Sequence, residues 1–219
     1  MGKRGPKPKK IVSEVWTPEL AYAVGLLATD GGLSPPGHLI DLTSKDVQQL
    51  ENYRNCLNIS TPITKKLSGI GKEFLRVQFK NVYFYNFLLS VGLTPAKSKT
   101  LGPLKIPNKF FFDFLRGVFD GDGCTYSYFD PRWHSSFMIY SCVASSSSAF
   151  VAWLQETLAK KLAIKGHITV TQKKHYQLRY AKTESIKLLK KMYSQPGCIC
   201  LRRKRLKIEK MLSIVGEHL

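Results

Sequence analysis

Acidic residues are scarce in this 219-residue chain. Asp and Glu number 15 against 34 Lys and Arg, a formal net charge of +19. That deficit points to a polyanionic partner, with nucleic acid the commonest; an RNA binder of the ribosomal kind and a membrane-surface protein are the alternatives on charge alone. Cysteine is also thin: five residues, an odd number, of which only Cys198 and Cys200 lie close, with no second pair and no histidine cluster beside them. A disulfide framework and a zinc site are therefore disfavoured, and a reducing compartment fits better. Long apolar runs are missing as well. The N-terminal MGKRGPKPKK has no stretch that would serve as a signal peptide, and LAYAVGLLA (20–28) is too short to span a bilayer. These absences lead to the expectation of a soluble intracellular protein that does not engage a membrane.

What the chain does have is a 43% apolar content, ample for a sizeable core. Residues 1–12 read as a flexible basic arm. A helix is predicted from Thr17, with Thr as N-cap, Pro18 at the first helical position and Glu19 in the first turn, ending at Gly31-Gly32. A second such helix starts after Pro107 with Asn108 as its cap. Phe111, Phe114, Leu115 and Val118 share one face, and it ends at Gly123. The elements that follow each helix agree in order: a hairpin, a helix, a second hairpin and a last helix. HLIDLT, ITKKL and EFLRVQFK are strands of the first half, and TYSYF, SFMIYSCV, GHITVTQ and HYQLRYAK those of the second. Each half is thus αββαββα, an internal repeat of α+β class. The predicted units are 13–104 and 105–219, joined near GPLKIP.

The two helix ends carry the chemistry. Asp30 and Asp122 occupy last turns, where a carboxylate faces the negative end of the macrodipole. Gly25 and Gly117 sit mid-helix at a cost of about 1 kcal/mol each relative to alanine. Small residues at Ala21, Gly25 and Ala28, and at Gly117 and Gly121, form stripes along which two helices can pack closely. Side by side, the helices bring Asp30 and Asp122 together, and two such carboxylates repel unless a cation lies between them. Carboxylates, carbonyls and water suit a hard ion such as magnesium, the ion of metal-assisted phosphodiester hydrolysis. An Asp-Gly helix stop and a buried ion-pair role remain the plainer alternatives. A calcium loop at DGDG fails, because Pro131 stands where the closing glutamate belongs.

VGLLATDG (24–31) and LRGVFDGDG (115–123) resemble the two diverged motifs of single-chain LAGLIDADG homing endonucleases, and KSKTLGPLKIPNKFFFDFLRGVFDGDG is typical of that family. The resemblance implies two αββαββα repeats related by pseudo-twofold symmetry, with saddle-shaped antiparallel sheets along the major groove of double-stranded DNA. It implies a monomer that makes a double-strand break with short 3′ overhangs at a long site during intron homing. Magnesium or manganese would serve, and calcium would bind without supporting cleavage. The motif acids Asp30 and Asp122 would be the metal ligands, helped by the carbonyls of Thr29 and Gly121. A basic residue near each scissile phosphate matches Lys80 and Lys182, with Arg179 as the fallback in the second half. Ser44 and one of Ser145–Ser148 match a water-positioning place, with helix capping as the other role. The family's earlier acid is Asp120 in the second motif and Ala28 in the first, and Arg116 replaces a small residue. The family also contains RNA maturases, and non-catalytic DNA-binding modules use the same scaffold. The expected location is a prokaryotic cytoplasm or an organelle.

Strand alternation assigns the DNA face. Arg76 and Gln78 share a side with Lys80, while Leu75, Val77 and Phe79 point inward. His167, Thr169 and Thr171 oppose Ile168 and Val170, and Gln177 and Arg179 oppose Leu178 and Tyr180. Arg and Gln on a β-ribbon suit guanine and adenine edges. Lys65, Lys66, Lys173 and Lys174 suit phosphates. Lys182 falls on the inward parity, so a bulge or strand end must precede it. CLRRKRLKIEK reads as a basic amphipathic helix, either on the DNA backbone or solvated.

Overall fold

The computed structural model describes residues 9–67, 69, 71–171 and 175–219, and for His134 the backbone alone. The first repeat runs α1 (Pro18–Asp30), β1 (Gly31–Ser34), β2 (Leu39–Ser44), α2 (Val47–Leu57), β3 (Ile63–Leu67), β4 (Glu73–Lys80) and α3 (Val82–Val91). The second runs α4 (Phe111–Asp122), β5 (Gly123–Asp130), β6 (Trp133–Ser145), α5 (Ser148–Leu162), β7 (His167–Val170), β8 (Tyr176–Tyr180) and α6 (Lys182–Tyr193). A seventh helix, α7 (Arg202–Ile214), follows. The strands form two four-stranded antiparallel sheets of the same order, β1-β2-β4-β3 and β5-β6-β8-β7. The α+β architecture of two equivalent repeats is as the element order predicts.

Local chemistry sets the boundaries. The Thr17 hydroxyl accepts the Leu20 N–H at 3.1 Å to start α1, and Asp46, Asn81 and Ser147 cap α2, α3 and α5 in the same way. Asn108 does not cap α4. Residues Asn108–Phe110 form a 3-10 turn, Phe110 holds the cap position, and the Asn108 side chain accepts from Lys161 at 2.9 Å. Part of the expected basic arm is docked: Val12 is 2% exposed and the Lys9 carbonyl accepts the Asn81 amide at 2.8 Å.

The core runs between the helices and one face of each sheet. Ile40, Leu42, Val77 and Phe79 are buried from the first sheet, and Ile139, Val143, Leu178 and Tyr180 from the second. The opposite faces carry polar residues and define the surface on either side of the α1–α4 junction. Among the described residues no helix is long and apolar enough to cross a membrane.

Candidate active site at the paired helix ends

Backbone contact between α1 and α4 builds the site. A Cβ on Gly25 would overlap the Phe114 carbonyl and stand 2.9 Å from the Gly117 Cα, while one on Gly117 would overlap the Tyr22 carbonyl. Arg116 does not disturb this contact. Its side chain, 3% exposed in the whole residue, turns aside to bond Asp113 at 2.7 Å and the carbonyls of Met192 and Ile199 at 2.8 Å each. One turn further on, a Cβ on Gly121 would lie 3.0 Å from Asp30 Oδ2. The Asp30 carboxylate therefore rests on the helix end that carries Asp122.

The two acids are held unequally. Asp30 Oδ2 accepts the Gln49 amide at 2.7 Å, and the Gln49 Oε1 accepts the Ser44 hydroxyl at 2.8 Å. The Ser44 oxygen in turn accepts the Asp46 N–H at 3.0 Å, so the start of α2 orients this relay. Burial raises the Asp30 pKa, opposed by Gln49 and by Lys204 and Lys97. In the second repeat the position three residues after the N-cap, Gln49's equivalent, is Phe150, which has no polar group to offer. Asp122 is pushed up to about 6, first by the protein packed around it and then by the negative charge of Asp30.

Two lysines that the strand pattern does not single out stand at these helix ends. Lys97 is 6% exposed and donates to the Gly31 carbonyl. Lys204 donates to the carbonyls of Phe119, Asp120 and Gly123 at 2.6, 2.8 and 2.6 Å. Gly31 and Gly123 are equivalent, each the first residue after its motif acid. An ammonium on C-terminal carbonyls opposes the macrodipole and offsets the cost of carboxylates there. Burial lowers both lysine pKa values, and the nearby aspartates act against that. Basic helix α7, expected on DNA backbone or in solvent, thus sends Lys204 inward, and Lys207 donates to the Thr125 carbonyl.

Among the sequence-predicted residues, Asp30, Asp122, Thr29 and Gly121 converge at the junction. The Thr29 hydroxyl donates to Leu26 at 3.0 Å, and the Gly121 carbonyl lies 3.5 Å from Lys204 Nζ. Lys80 and Lys182 are not brought there. Gly31 pairs with Leu42 and Leu42 with Val77, three residues before Lys80. Lys80 is therefore about 10 Å outward along the sheet, with its Nζ 3.3 Å from where a Gly37 Cβ would stand. Lys182 follows a strand end at Tyr180, begins α6, and lies four residues beyond Leu178, the residue aligned with Gly123 through Val143.

On the polar face of the first sheet lie Arg76, Gln78, Lys80 and Lys66, the last donating to Thr43 at 3.4 Å. Lys65 alternates to the other face and pairs with Glu73 at 3.1 Å, so the two lysines do not act together. On the second sheet His167 aligns with Arg179 and Thr169 with Gln177. Arg179 also lies 5.8 Å from the Tyr126 ring centroid. The Thr171 hydroxyl oxygen accepts the His175 N–H at 3.3 Å. Val170, expected inward, is 58% exposed at the end of edge strand β7. Lys173 and Lys174 lie outside the described residues.

The donor set suits a hard divalent cation. Among the described residues no three His, Cys, Asp or Glu side chains gather around one point. Two facing carboxylates beside main-chain carbonyls nonetheless match magnesium, which takes one or two carboxylates and completes its shell with water and phosphate oxygens. The negative charge of Asp30, which adds to burial in raising the Asp122 pKa, is what such an ion would offset.

No family model matches the sequence, and no curated protein does. Solved structures do match in fold. The homing endonuclease I-WcaI bound to its DNA recognition sequence aligns with TM-score 0.64 at 12% identity, over 91% of this chain and 88% of that one. The LAGLIDADG meganuclease I-AabMI bound to uncleaved DNA aligns with TM-score 0.62 at 12% identity, over 92% and 91%. Full-length DUF199/WhiA from Thermatoga maritima aligns with TM-score 0.57 at 13% identity over 91% of this chain, which spans 61% of its length. At these identities the likeness is one of fold.

Proposed function

We propose that this chain is a site-specific, metal-dependent DNA endonuclease that makes a double-strand break at a long site, with intron homing as its biological role. The observation that carries the proposal is the meeting of Asp30 and Asp122 at one helix junction, with a lysine, Lys97 buried and Lys204 half-buried, on the carbonyls of each helix end. A fold shared with two DNA-bound nucleases supports the reading. The protein works as a monomer inside the cell, because each repeat supplies one acid and one lysine to a single centre.

Asp30 and Asp122 would hold magnesium or manganese, with the Thr29 and Gly121 carbonyls assisting. A bound ion supplies Lewis acidity at the scissile phosphate and makes water a competent nucleophile near neutral pH. Gln49 fixes the Asp30 carboxylate through its amide, leaving the other oxygen free to face the ion. Lys97 and Lys204 are placed to stabilise negative charge that develops on the phosphate, the role first expected of Lys80 and Lys182. Lys80, at the end of β4, and Lys182, at the start of α6, lie farther out, where a cation meets the DNA backbone. Arg76, Gln78, Gln177 and Arg179 present their donors to base edges in the major groove.

The test is incubation with DNA carrying the uninterrupted host-gene site, in magnesium and in EDTA. Cutting in magnesium only, with 3′ overhangs, is expected. Asp30→Asn and Asp122→Asn should bind that DNA and fail to break both strands. Tight binding by folded wild-type protein without any cutting in magnesium or manganese would overturn the nuclease reading and leave a DNA-binding module.

A further inference from the structure

Asp120 is fully buried, and nothing in the metal chemistry uses it. Its Oδ1 accepts the Tyr193 hydroxyl at 2.7 Å, and its Oδ2 accepts both the Tyr22 hydroxyl and the Leu201 N–H at 2.7 Å. The last bond is the informative one. Leu201 is the N-cap residue of α7, and its carbonyl accepts the N–H groups of Lys204 and Arg205 at 3.0 Å each. The Lys204 ammonium then returns to the Asp120 carbonyl. Carboxylate, Leu201 peptide, Lys204 side chain and Asp120 carbonyl thus close one circuit.

Residues 198–204 form a strap whose polar contacts span both repeats. Arg116 holds the Ile199 carbonyl, Asn52 of the first repeat donates to the Cys200 carbonyl at 3.0 Å, and Arg203 pairs with Asp46 at 2.7 Å. The first repeat solves the same problem differently. Lys97 comes six residues after α3, in a connector tied at both ends to helices, with Leu93 and Leu101 buried on either side. Lys204 comes eleven residues after α6, in the first turn of α7. A lysine on the longer tether needs an internal anchor, and an acid stands at position 120 where the first repeat has Ala28.

We propose that Asp120 is a positioning residue for Lys204: its carboxylate anchors the strap at the Leu201 N–H and so sets the ammonium on the helix end beside Asp30 and Asp122. The consequence for cleavage rests on the endonuclease reading; the placement of the lysine does not. Asparagine satisfies the same partners, its amide oxygen taking Tyr22 and Leu201 while its NH2 donates to the Tyr193 oxygen. Alanine satisfies none. Leu201→Pro removes the single N–H donor at a backbone φ of −74°, which proline adopts.

The experiment is reductive methylation of the metal-free protein without DNA, with each lysine followed by mass spectrometry. In Asp120→Ala and Leu201→Pro, Lys204 should label about tenfold faster than in wild type through local opening of the strap. Lys97 should keep its rate in every variant, and Asp120→Asn should protect Lys204 as wild type does. Should Asp120→Ala not fold, Leu201→Pro carries the test. Unchanged Lys204 labelling in the folded variants overturns the proposal. So does a joint rise at Lys97 and Lys204, which would mark general loosening. In single-turnover cutting with protein in excess, Asp120→Ala should slow the rate about 100-fold, as Lys204→Met does. Its DNA affinity should hold, and the double variant should be no slower than either single one. A wild-type cutting rate in Asp120→Ala overturns the role in cleavage. Wild-type protein that labels as expected and cuts nothing defeats the endonuclease reading instead.

Discussion

Replacing Asp122 by asparagine should make the metal-free protein more stable while ending double-strand cleavage. The ordinary Asp pKa of 3.8 is pushed up to about 6 at this position by surrounding protein and by Asp30. Ionising the group in the folded state is therefore harder than in the unfolded chain. At about 1.4 kcal/mol per pH unit, the full difference is a ceiling of about 3 kcal/mol. Asp122 is also exposed at its solvent side, and screening there reduces the expected gain to about 1–1.5 kcal/mol. For a chain of this size that is about 3–5 °C in melting temperature. The sign follows from linkage: the folded state holds the proton more tightly, so the penalty is full above pH 6 and fades as pH falls towards 3.8. Thermal melts in EDTA at pH 7.5 should show Asp122→Asn above wild type, with the gap closing by about pH 4.5. Added magnesium should raise wild type and leave the variant unmoved, because only wild type has both acids to offer the ion. A variant that melts at or below wild type at pH 7.5, or a gap that does not change with pH, would refute the account of two carboxylates in opposition.

Lys97→Met and Lys204→Met should each slow single-turnover cutting about 100-fold with affinity retained, whereas Lys80→Met and Lys182→Met should cut at near wild-type rates and flatten the salt dependence of binding; quantitative cleavage and binding titrations distinguish the pairs. Gly117→Ala should cost about 2–3 kcal/mol in urea unfolding, because its methyl meets the Tyr22 carbonyl, a backbone group that cannot yield. The order of readers is reversed between repeats: Val77 and Leu178 align through their sheets with Gly31 and Gly123, placing Arg76 and Gln177 on the inner side and Gln78 and Arg179 on the outer. Sequences selected by binding should therefore be non-palindromic at these positions, and Arg76→Gln should shift one inner preference from guanine towards adenine by about 1–3 kcal/mol.

The repeat architecture was legible because its signals are local. Thr17 and Pro18 open α1, glycine closes both motif helices, and two-residue alternation puts Arg76 and Gln78 opposite Val77 and Phe79. Gly25 and Gly117 even declared the helix contact, since a mid-helix glycine without a neighbouring backbone would be an uncompensated cost. Alternation failed at an edge, where Val170 has no strand beyond it to cover it; it also splits Lys65 and Lys66, both expected on phosphates, onto opposite faces of β3. Gln49 was hidden differently. It reaches Asp30 from the first turn of α2, and its counterpart Phe150 breaks the repeat that would have drawn attention to it.

The lysines were the hardest part to read, for a physical reason. In a chain with 34 Lys and Arg, residue type alone distinguishes no single cation, so position within the repeat has to do it. Lys80 and Lys182 are drawn together by the order of elements, since one ends the last strand of its half and the other comes two residues after its own. Lys97 and Lys204 are not, because one lies six residues past its helix and the other eleven. Their equivalence exists only in space, at the carbonyls of Gly31 and Gly123 that both ammonium groups reach. Their partners mark them out: an ammonium partly withdrawn from water must be met by fixed carbonyls and carboxylates, and the helix ends with Asp30 and Asp122 provide both. The acids and the lysines therefore account for each other. The carboxylates make buried ammonium groups tolerable, and the ammonium groups make acidic helix C-termini tolerable, before any cation or phosphate arrives.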